Sequence, residues 1–296
     1  MTSTDNRPRV GGWHVVIGSA RGAAHHASGL PNQDSAASQA AGRSDAAVIV
    51  AVADGHGHAR HFRSAEGSAL AVDVACRAAA RMGAQMKAAE LSAAAQVESA
   101  VRHELVPTIV ADWRHAVGGH ITGQPYTAQE QSALDLADSP EVPYGSTLLV
   151  AMIAGHWLVC TQIGDGDLLA ICPGGRSFSP VTADDRLDGH RTTSLCQPDA
   201  VASFRTSAHD LREIPLFALL LATDGYGNAQ AEEPWQPGVG RDLAEFAAEH
   251  DHRWFEQQVP GWAQRCASAD GSGDDTTIAL LLHPGAAALG NRTGKG

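Results

Sequence analysis

Val48-Ile49-Val50-Ala51-Val52-Ala53 runs directly into Asp54-Gly55-His56-Gly57-His58. An uninterrupted apolar run rich in β-branched residues reads as a strand buried on both faces. It ends in an acid, a glycine and a histidine. The strand fixes a carboxylate at a rigid edge, the glycine lets backbone come close to a ligand, and the histidine is a proton carrier near neutral pH. Asp-Gly after a strand is more often a turn than a site, so the pair alone does not establish one.

The same ending recurs. The apolar run 219–223 ends in Asp224-Gly225, and the run 158–163 ends in Gly164-Asp165-Gly166-Asp167. Asp274-Asp275-Thr276-Thr277 reverses the order and leads into the apolar run 278–282. Neighbouring antiparallel strands alternate direction, so acids at three C-terminal ends and one N-terminal end can meet on one rim. Packed carboxylates repel one another and are tolerated when a cation sits between them. Such oxygen ligands suit Mg²⁺ or Mn²⁺ rather than zinc.

Six segments then stand in a telling order: Gly29-Leu30-Pro31-Asn32-Gln33-Asp34, Val52-Ala53-Asp54-Gly55-His56-Gly57, Tyr144-Gly145-Ser146-Thr147, Ile163-Gly164-Asp165-Gly166, Ala222-Thr223-Asp224-Gly225 and Asp274-Asp275-Thr276-Thr277. In this the chain resembles the metal-dependent Ser/Thr protein phosphatases of the type 2C family, most of all a bacterial branch. The resemblance covers roughly residues 13–283. It implies an α+β fold, a four-layer α-β-β-α sandwich with two antiparallel sheets face to face between helices. Residues 1–12 are expected to form a flexible arm and 284–296 a disordered tail.

The resemblance also implies a chemistry: hydrolysis of phosphoserine and phosphothreonine by a water bridging two cations, Mn²⁺ or Mg²⁺, with a third in related bacterial enzymes. By that likeness Asp54 bridges the metals, Gly55 (through its carbonyl) and Asp34 serve the second, and Asp224 and Asp274 the first. Asp165 is the candidate for the third, with a plain turn acid as the other reading. His56 matches the general acid, and Asp275 stands where the family often has Asn. No phosphoenzyme is needed, so no cysteine is assigned as nucleophile. Two departures stand out. Gln33 replaces the usual glutamate, removing a charge near the second metal. Gly29 occupies the place of the phosphate-binding arginine of many eukaryotic members. Arg21, His25, His26 and Gln33 are candidates to approach the phosphate, and Arg60 and Arg63 follow the metal motif; a solvated surface role stays open for each. The expected partner is a phosphoprotein, the target of a Ser/Thr kinase. Two other readings stay open: a phosphatase-like binding module for a phosphoprotein or kinase, and a hydrolase of small phosphate esters. No P-loop or dinucleotide fingerprint supports the last.

Composition sets the bounds. The 296 residues are 44% hydrophobic, enough to bury the core of one domain. A net charge of −12 argues against a nucleic-acid partner. The polar start and the absence of any run of about 18 apolar residues argue against a signal peptide or a membrane span, hence for the cytoplasm. The 5 cysteines are scattered without a Cys-x-x-Cys pair, which reads as reduced, structural thiols.

Periodicity places the remaining elements. Strands are expected over 13–17, just after Asp34, over 145–153, 200–206 and 216–223, and from Thr276 to 282. Residues 158–163 and 168–172 read as a meander, with a hairpin turn at Gly155-His156. Residues 18–34 read as a loop. Helices are expected over 64–82, ending at Gly83; over 91–117, with Val97, Val101, Leu105, Ile109 and Trp113 on one stripe and a kink or split at Pro107; and over 242–250 and 254–267. Residues 118–143 read as irregular around a short helix within 127–137. By the resemblance, 173–198 is the flap beside the site.

Overall fold

The computed structural model describes residues 12–41, 47–89, 93–134, 138–187, 192–231 and 233–283. Its strands are β1 (His14–Ala20), β2 (Ser35–Ala41), β3 (Ala47–Ala53), β4 (Leu148–Ala154), β5 (Trp157–Ile163), β6 (Asp167–Ile171), β7 (Ser177–Phe178), β8 (Arg205–Asp210), β9 (Ala218–Ala222) and β10 (Thr276–Leu282). They form two five-stranded sheets, β1-β10-β9-β6-β7 and β2-β3-β4-β5-β8, in which every pairing is antiparallel. The helices are α1 (Ala23–Ser28), α2 (Ser64–Ala89), α3 (Ala94–Ala100), α4 (Val106–Gly123), α5 (Ala128–Ala133), α6 (Ala200–Ser203), α7 (Asp224–Gly227), α8 (Gln236–Glu249) and α9 (His252–Cys266).

The alternation along β3 explains its unbroken apolar run. Ala47, Ile49, Ala51 and Ala53 pack with Val74, Met82 and Trp113 of α2 and α4. Val48, Val50 and Val52 face the other way, into a core shared with Leu219, Leu221 and Leu281 of the second sheet. The outer face of that sheet, including Val16, Leu220 and Leu280, packs on Leu243, Phe255 and Val259 of α8 and α9. Three cores separate four layers, as expected. Each fully buried Val or Leu contributes about 1.5–3 kcal/mol, so the strand ends are anchored where the acids emerge.

Register sets the rim. Ala222 lies opposite Ile278, and Ala20 opposite Thr276, so the end of β9, the start of β10 and the end of β1 share one edge. In the facing sheet, Ser35 pairs with Ala53 and Leu148 with Ile163, which brings Asp34, Asp54 and the β5 end to the same side.

Several expectations need correction. Strands β5 and β6 are not a meander, because they belong to different sheets. The chain crosses the sandwich between them, turning at Gly164 with φ +96°. Residues 18–34 are not all loop: β1 runs to Ala20 and α1 follows, a single turn too short to show a period and closed by Gly29 at φ +76°. Gly83 does not end α2. Its bare Cα lies against the layer below, where an added Cβ would be 3.0 Å from Ala47 Cβ and 3.1 Å from Met152 Sδ. Pro107 splits the second helical stretch as expected, through a π-helical turn over Val101–Leu105 that ends where Pro107 enters the first turn of α4. Helix α4 then continues through Gly118-Gly119 to Gly123, held by the buried Trp113 and Val117. Residues 200–203 are helical, not extended, and β8 starts only at Arg205. Helix α8 starts at Gln236, with Pro237 tolerated in its first turn. The arm through residue 11, the tail from 284, Leu91, residues 135–137 and the flap's 188–191 lie outside the described residues.

Glycines in the helices give a test. A Cβ on Gly67 would stand 2.0 Å from the Tyr144 carbonyl oxygen, whereas nothing lies within 4 Å of one on Gly119. Gly119→Ala is expected to stabilise by about 0.5–1 kcal/mol through helix propensity. Gly67→Ala is expected to destabilise despite the same propensity gain. Urea midpoints of the two variants check both signs, and a Gly67→Ala midpoint at or above wild type would contradict the packing.

Candidate active site

Asp54 emerges from β3 with its backbone clamped. Its N–H donates to Thr147 Oγ1 at 3.0 Å, and its carbonyl accepts from the Thr147 N–H at 2.8 Å and the Ser146 hydroxyl at 3.0 Å. That clamp is what Tyr144-Gly145-Ser146-Thr147 provides. Gly145 has a second role. A Cβ there would come within 2.4 Å of His61 Nδ1 and 2.8 Å of His56 Cδ2, so glycine is what admits the two rings. They meet edge to face at 4.9 Å, with His61 Nδ1 2.5 Å from the Val142 carbonyl oxygen.

A cleft of about 500 Å³ opens on this rim, lined among others by Asp54, Asp224, Asp274, Asp165, Gly55 and His56. His25 and Gln33 line it too, and Thr192, Ser194 and Cys196 supply the flap wall. The Thr192 hydroxyl donates to Asp165 Oδ1 at 2.8 Å, and Ser194 is bonded to the Ser146 backbone, which ties the wall to the rim. Asp34 lies under the rim, buried, with Oδ2 accepting the Thr223 hydroxyl at 2.8 Å. Arg21 turns away and donates to the His25 carbonyl at 2.7 Å. His26 is exposed. Arg60 reaches the cleft edge but pairs with Asp138 at 3.0 Å. Arg63 is structural: it forks onto Glu130 and the Tyr144 hydroxyl, pinning the segment after α4.

The electrostatics are those of crowded acids. Burial raises Asp54 well above the usual carboxylate range, and the charges of Asp34 and Asp224 raise it further. Burial likewise raises Asp34, against hydrogen bonds from Thr223 and Thr277. Asp224 is raised by burial and then by Asp165, and its carboxyl is within hydrogen-bonding reach of Asp54. Asp167, at the start of β6, is pushed up to about 7 by burial, then by Asp224 and Asp165. His56 is pushed down to about 3, first by burial and then by His61 and Arg60.

Divalent cations fit these residues. The Asp34 Oδ1 and Gln33 Oε1 atoms are buried with no hydrogen-bond partner among the described residues, and several carboxyls are held in one another's field. Among the described residues, no three His, Cys, Asp or Glu side chains are grouped so as to hold a metal ion by themselves. A hard cation that keeps part of its water shell, or takes carbonyl oxygens, does not need three such groups at one point.

Comparison with known proteins fits this arrangement. The protein phosphatase 2C family model matches residues 21–262. No curated protein sequence matches. Among solved structures, the serine/threonine phosphatase Stp1 from Staphylococcus aureus aligns over 95% of this chain and 99% of its own at 14% identity, TM-score 0.58. The S. agalactiae serine/threonine phosphatase aligns over 92% and 99% at 14% identity, TM-score 0.58. PppA of Pseudomonas aeruginosa, a regulatory component of its T6SS, aligns over 91% and 97% at 17% identity, TM-score 0.56. The chain belongs to the protein phosphatase 2C family and is by that membership a protein-serine/threonine phosphatase.

Sequence reasoning passed over Asp275, noted only as standing in for Asn, and Asp167, His61 and Thr147. The first is a hub: its carboxylate accepts the Gly22 N–H at 2.6 Å, His25 Nδ1 at 2.8 Å and the Gln33 N–H at 2.6 Å.

The raised carboxyls fix a pH dependence. A carboxyl whose folded pKa exceeds its unfolded value binds its proton more tightly when folded. Its contribution is therefore full below the unfolded pKa and is lost as pH rises through the folded one. With divalent cations chelated, the Asp167 contribution is expected to be lost between about pH 4 and 7, by up to about 1.4 kcal/mol per pH unit, while the depressed pKa of His56 adds stability as pH rises over the same range. Asp167→Asn should remove that loss, so its stability relative to wild type rises with pH across the range. Denaturant midpoints of wild type and Asp167→Asn across this range measure it, and a difference between them that does not change with pH would refute the burial of a neutral Asp167 carboxyl.

Proposed function

We propose that the chain hydrolyses phosphoserine and phosphothreonine esters of proteins by direct attack of water, with two divalent cations, Mn²⁺ or Mg²⁺, held at the rim. The observation that carries this reading is Asp54, Asp224 and Asp274 lining one cleft with His56. Asp54 would serve both cations, Asp224 and Asp274 the first, and the Gly55 carbonyl and Asp34, through water, the second. Asp165, beside Asp224, would serve a third. Such cations, when bound, neutralise phosphoryl oxygens and make water a competent nucleophile at neutral pH.

The chain's own residues do the rest. The Thr147 and Ser146 clamp fixes the Asp54 backbone, so its carboxylate keeps one position through the reaction. His56, seated against Gly145, gives a proton to the departing serine or threonine oxygen. Its depressed pKa keeps it neutral until the phosphoryl charge enters the cleft and draws a proton onto it. Cys196 is on the cleft wall, but burial pushes its thiol pKa up, which disfavours a thiolate nucleophile. The cleft is open enough to admit a phosphorylated side chain from a protein surface, and the proposed substrates are the targets of a Ser/Thr kinase. No helix among the described residues is long and apolar enough to cross a membrane.

Turnover of p-nitrophenyl phosphate and of a phosphothreonine peptide is expected with Mn²⁺ or Mg²⁺ and not with EDTA. Asp54→Ala should remove it while circular dichroism stays unchanged. His56→Ala should slow the peptide by about 10²–10⁴-fold and p-nitrophenyl phosphate less, because nitrophenolate leaves without a proton. Equal metal-dependent rates in Asp54→Ala would overturn the assignment, and equal losses on both esters would remove the leaving-group role of His56.

A further inference from the structure

Gln33, which stands where the family usually has glutamate, and His25 meet at one end of the cleft. Gln33 is only 6% exposed, and its Oε1 has no hydrogen-bond partner among the described residues. His25 stands beside it. Gln33 Oε1 and His25 Nε2 lie 3.7 and 3.8 Å from the point a Cβ on Gly57 would occupy. Both therefore border the same small space above Gly57.

The other side of the His25 ring decides what it offers there. Nδ1 is 2.8 Å from Asp275 Oδ2, and Asp275 is 3% exposed. A buried carboxylate at that distance takes the Nδ1–H and leaves Nε2 of the neutral ring with its lone pair. No hydrogen bond joins Nε2 to Gln33 Oε1. Two lone-pair groups facing one space with no donor between them are what a cation satisfies. A carboxylate behind an imidazole is the usual support for a metal-binding histidine. Three of the four lone-pair positions of Asp275 are already engaged, by the Gly22 and Gln33 N–H groups and by His25, which suits it to support rather than ligation. An asparagine there, with one acceptor oxygen, could not serve all three donors. Arg21 supports the same placement by holding the His25 carbonyl.

We propose that His25 Nε2 is a ligand of the second cation, together with Gln33 Oε1, and that Asp275 is its positioning residue. The negative charge lost from residue 33 is thereby replaced one step further out, at residue 275. This rests on the cation-holding rim proposed above. It makes that end a mixed nitrogen–oxygen site. Imidazole favours first-row transition ions, whereas Mg²⁺ prefers oxygen, so the second position should select Mn²⁺ over Mg²⁺.

The test uses the full chain loaded with Mn²⁺, read by pulsed EPR and by titration calorimetry. The wild-type spectrum is expected to show the ¹⁴N modulation of a coordinated imidazole. His25→Gln, which keeps an oxygen donor at similar size, and His25→Ala should lose it, and His56→Ala should keep it. The weaker Mn²⁺ site should loosen about 10–100-fold in both His25 variants and in Asp275→Asn, with Mg²⁺ affinity changed less than about threefold. Mn²⁺ bound with no nitrogen modulation in wild type, or modulation surviving in His25→Gln, would overturn the ligand while leaving the cation rim standing. Unchanged Mn²⁺ affinity combined with weaker inhibition by inorganic phosphate would also overturn it and make His25 a phosphate donor. Failure of wild type to bind Mn²⁺ at all would bring down the rim itself.

Discussion

Carboxyl groups gathered at one end of a dry sandwich repel one another, and the surrounding structure is arranged to bear that repulsion. Asp34, Asp54 and Asp224 each have an ionised form penalised first by burial and then by a neighbouring acid. A flexible support would let them move apart. Here Asp54 leaves a strand buried along its whole length, Asp34 is tethered by Thr223, and Asp224 opens a helical turn at the end of β9. Rigidity in three packed cores keeps the acids together, and their crowding makes divalent cations welcome.

The fold was legible where the signal is local and repeated. Strands β3, β9 and β10 are dense apolar runs, and the stripe from Val97 to Trp113 lies buried as its spacing implied. What could not be read depends on distant partners. Whether β6 continues the sheet of β5 or crosses to the other is not written in either strand; the pairing of Leu169 with Leu220 decides it. Gly83 and Gly118-Gly119 read as breaks because glycine weakens a helix, yet packing carries both helices through, α2 against the sheet and α4 against α2. Helices α1 and α6 are too short for a period to appear.

The site divides in the same way. The four acid-bearing strand ends were visible because each borders an apolar run, and the order of six short segments gave the family. The role of Asp275 was not visible, because its three donors lie some 240 residues or more away, at Gly22, His25 and Gln33. Among Arg21, His25 and His26, sequence offered no choice. One short helix, one backbone carbonyl and one buried carboxylate make it, turning His25 alone of the three onto the cleft.

The Asp275 junction also bears on how the molecule comes together. It joins the segment just after the first strand to the segment just before the last, so the rim needs both ends of the domain in place. Closing so long an intervening chain is entropically costly. A chain cut before residue 274 lacks Asp274, Asp275 and the pairing partner of β1 together. The Asp275 links to Gly22, His25 and Gln33 therefore exist only once the two ends of the sandwich have come together.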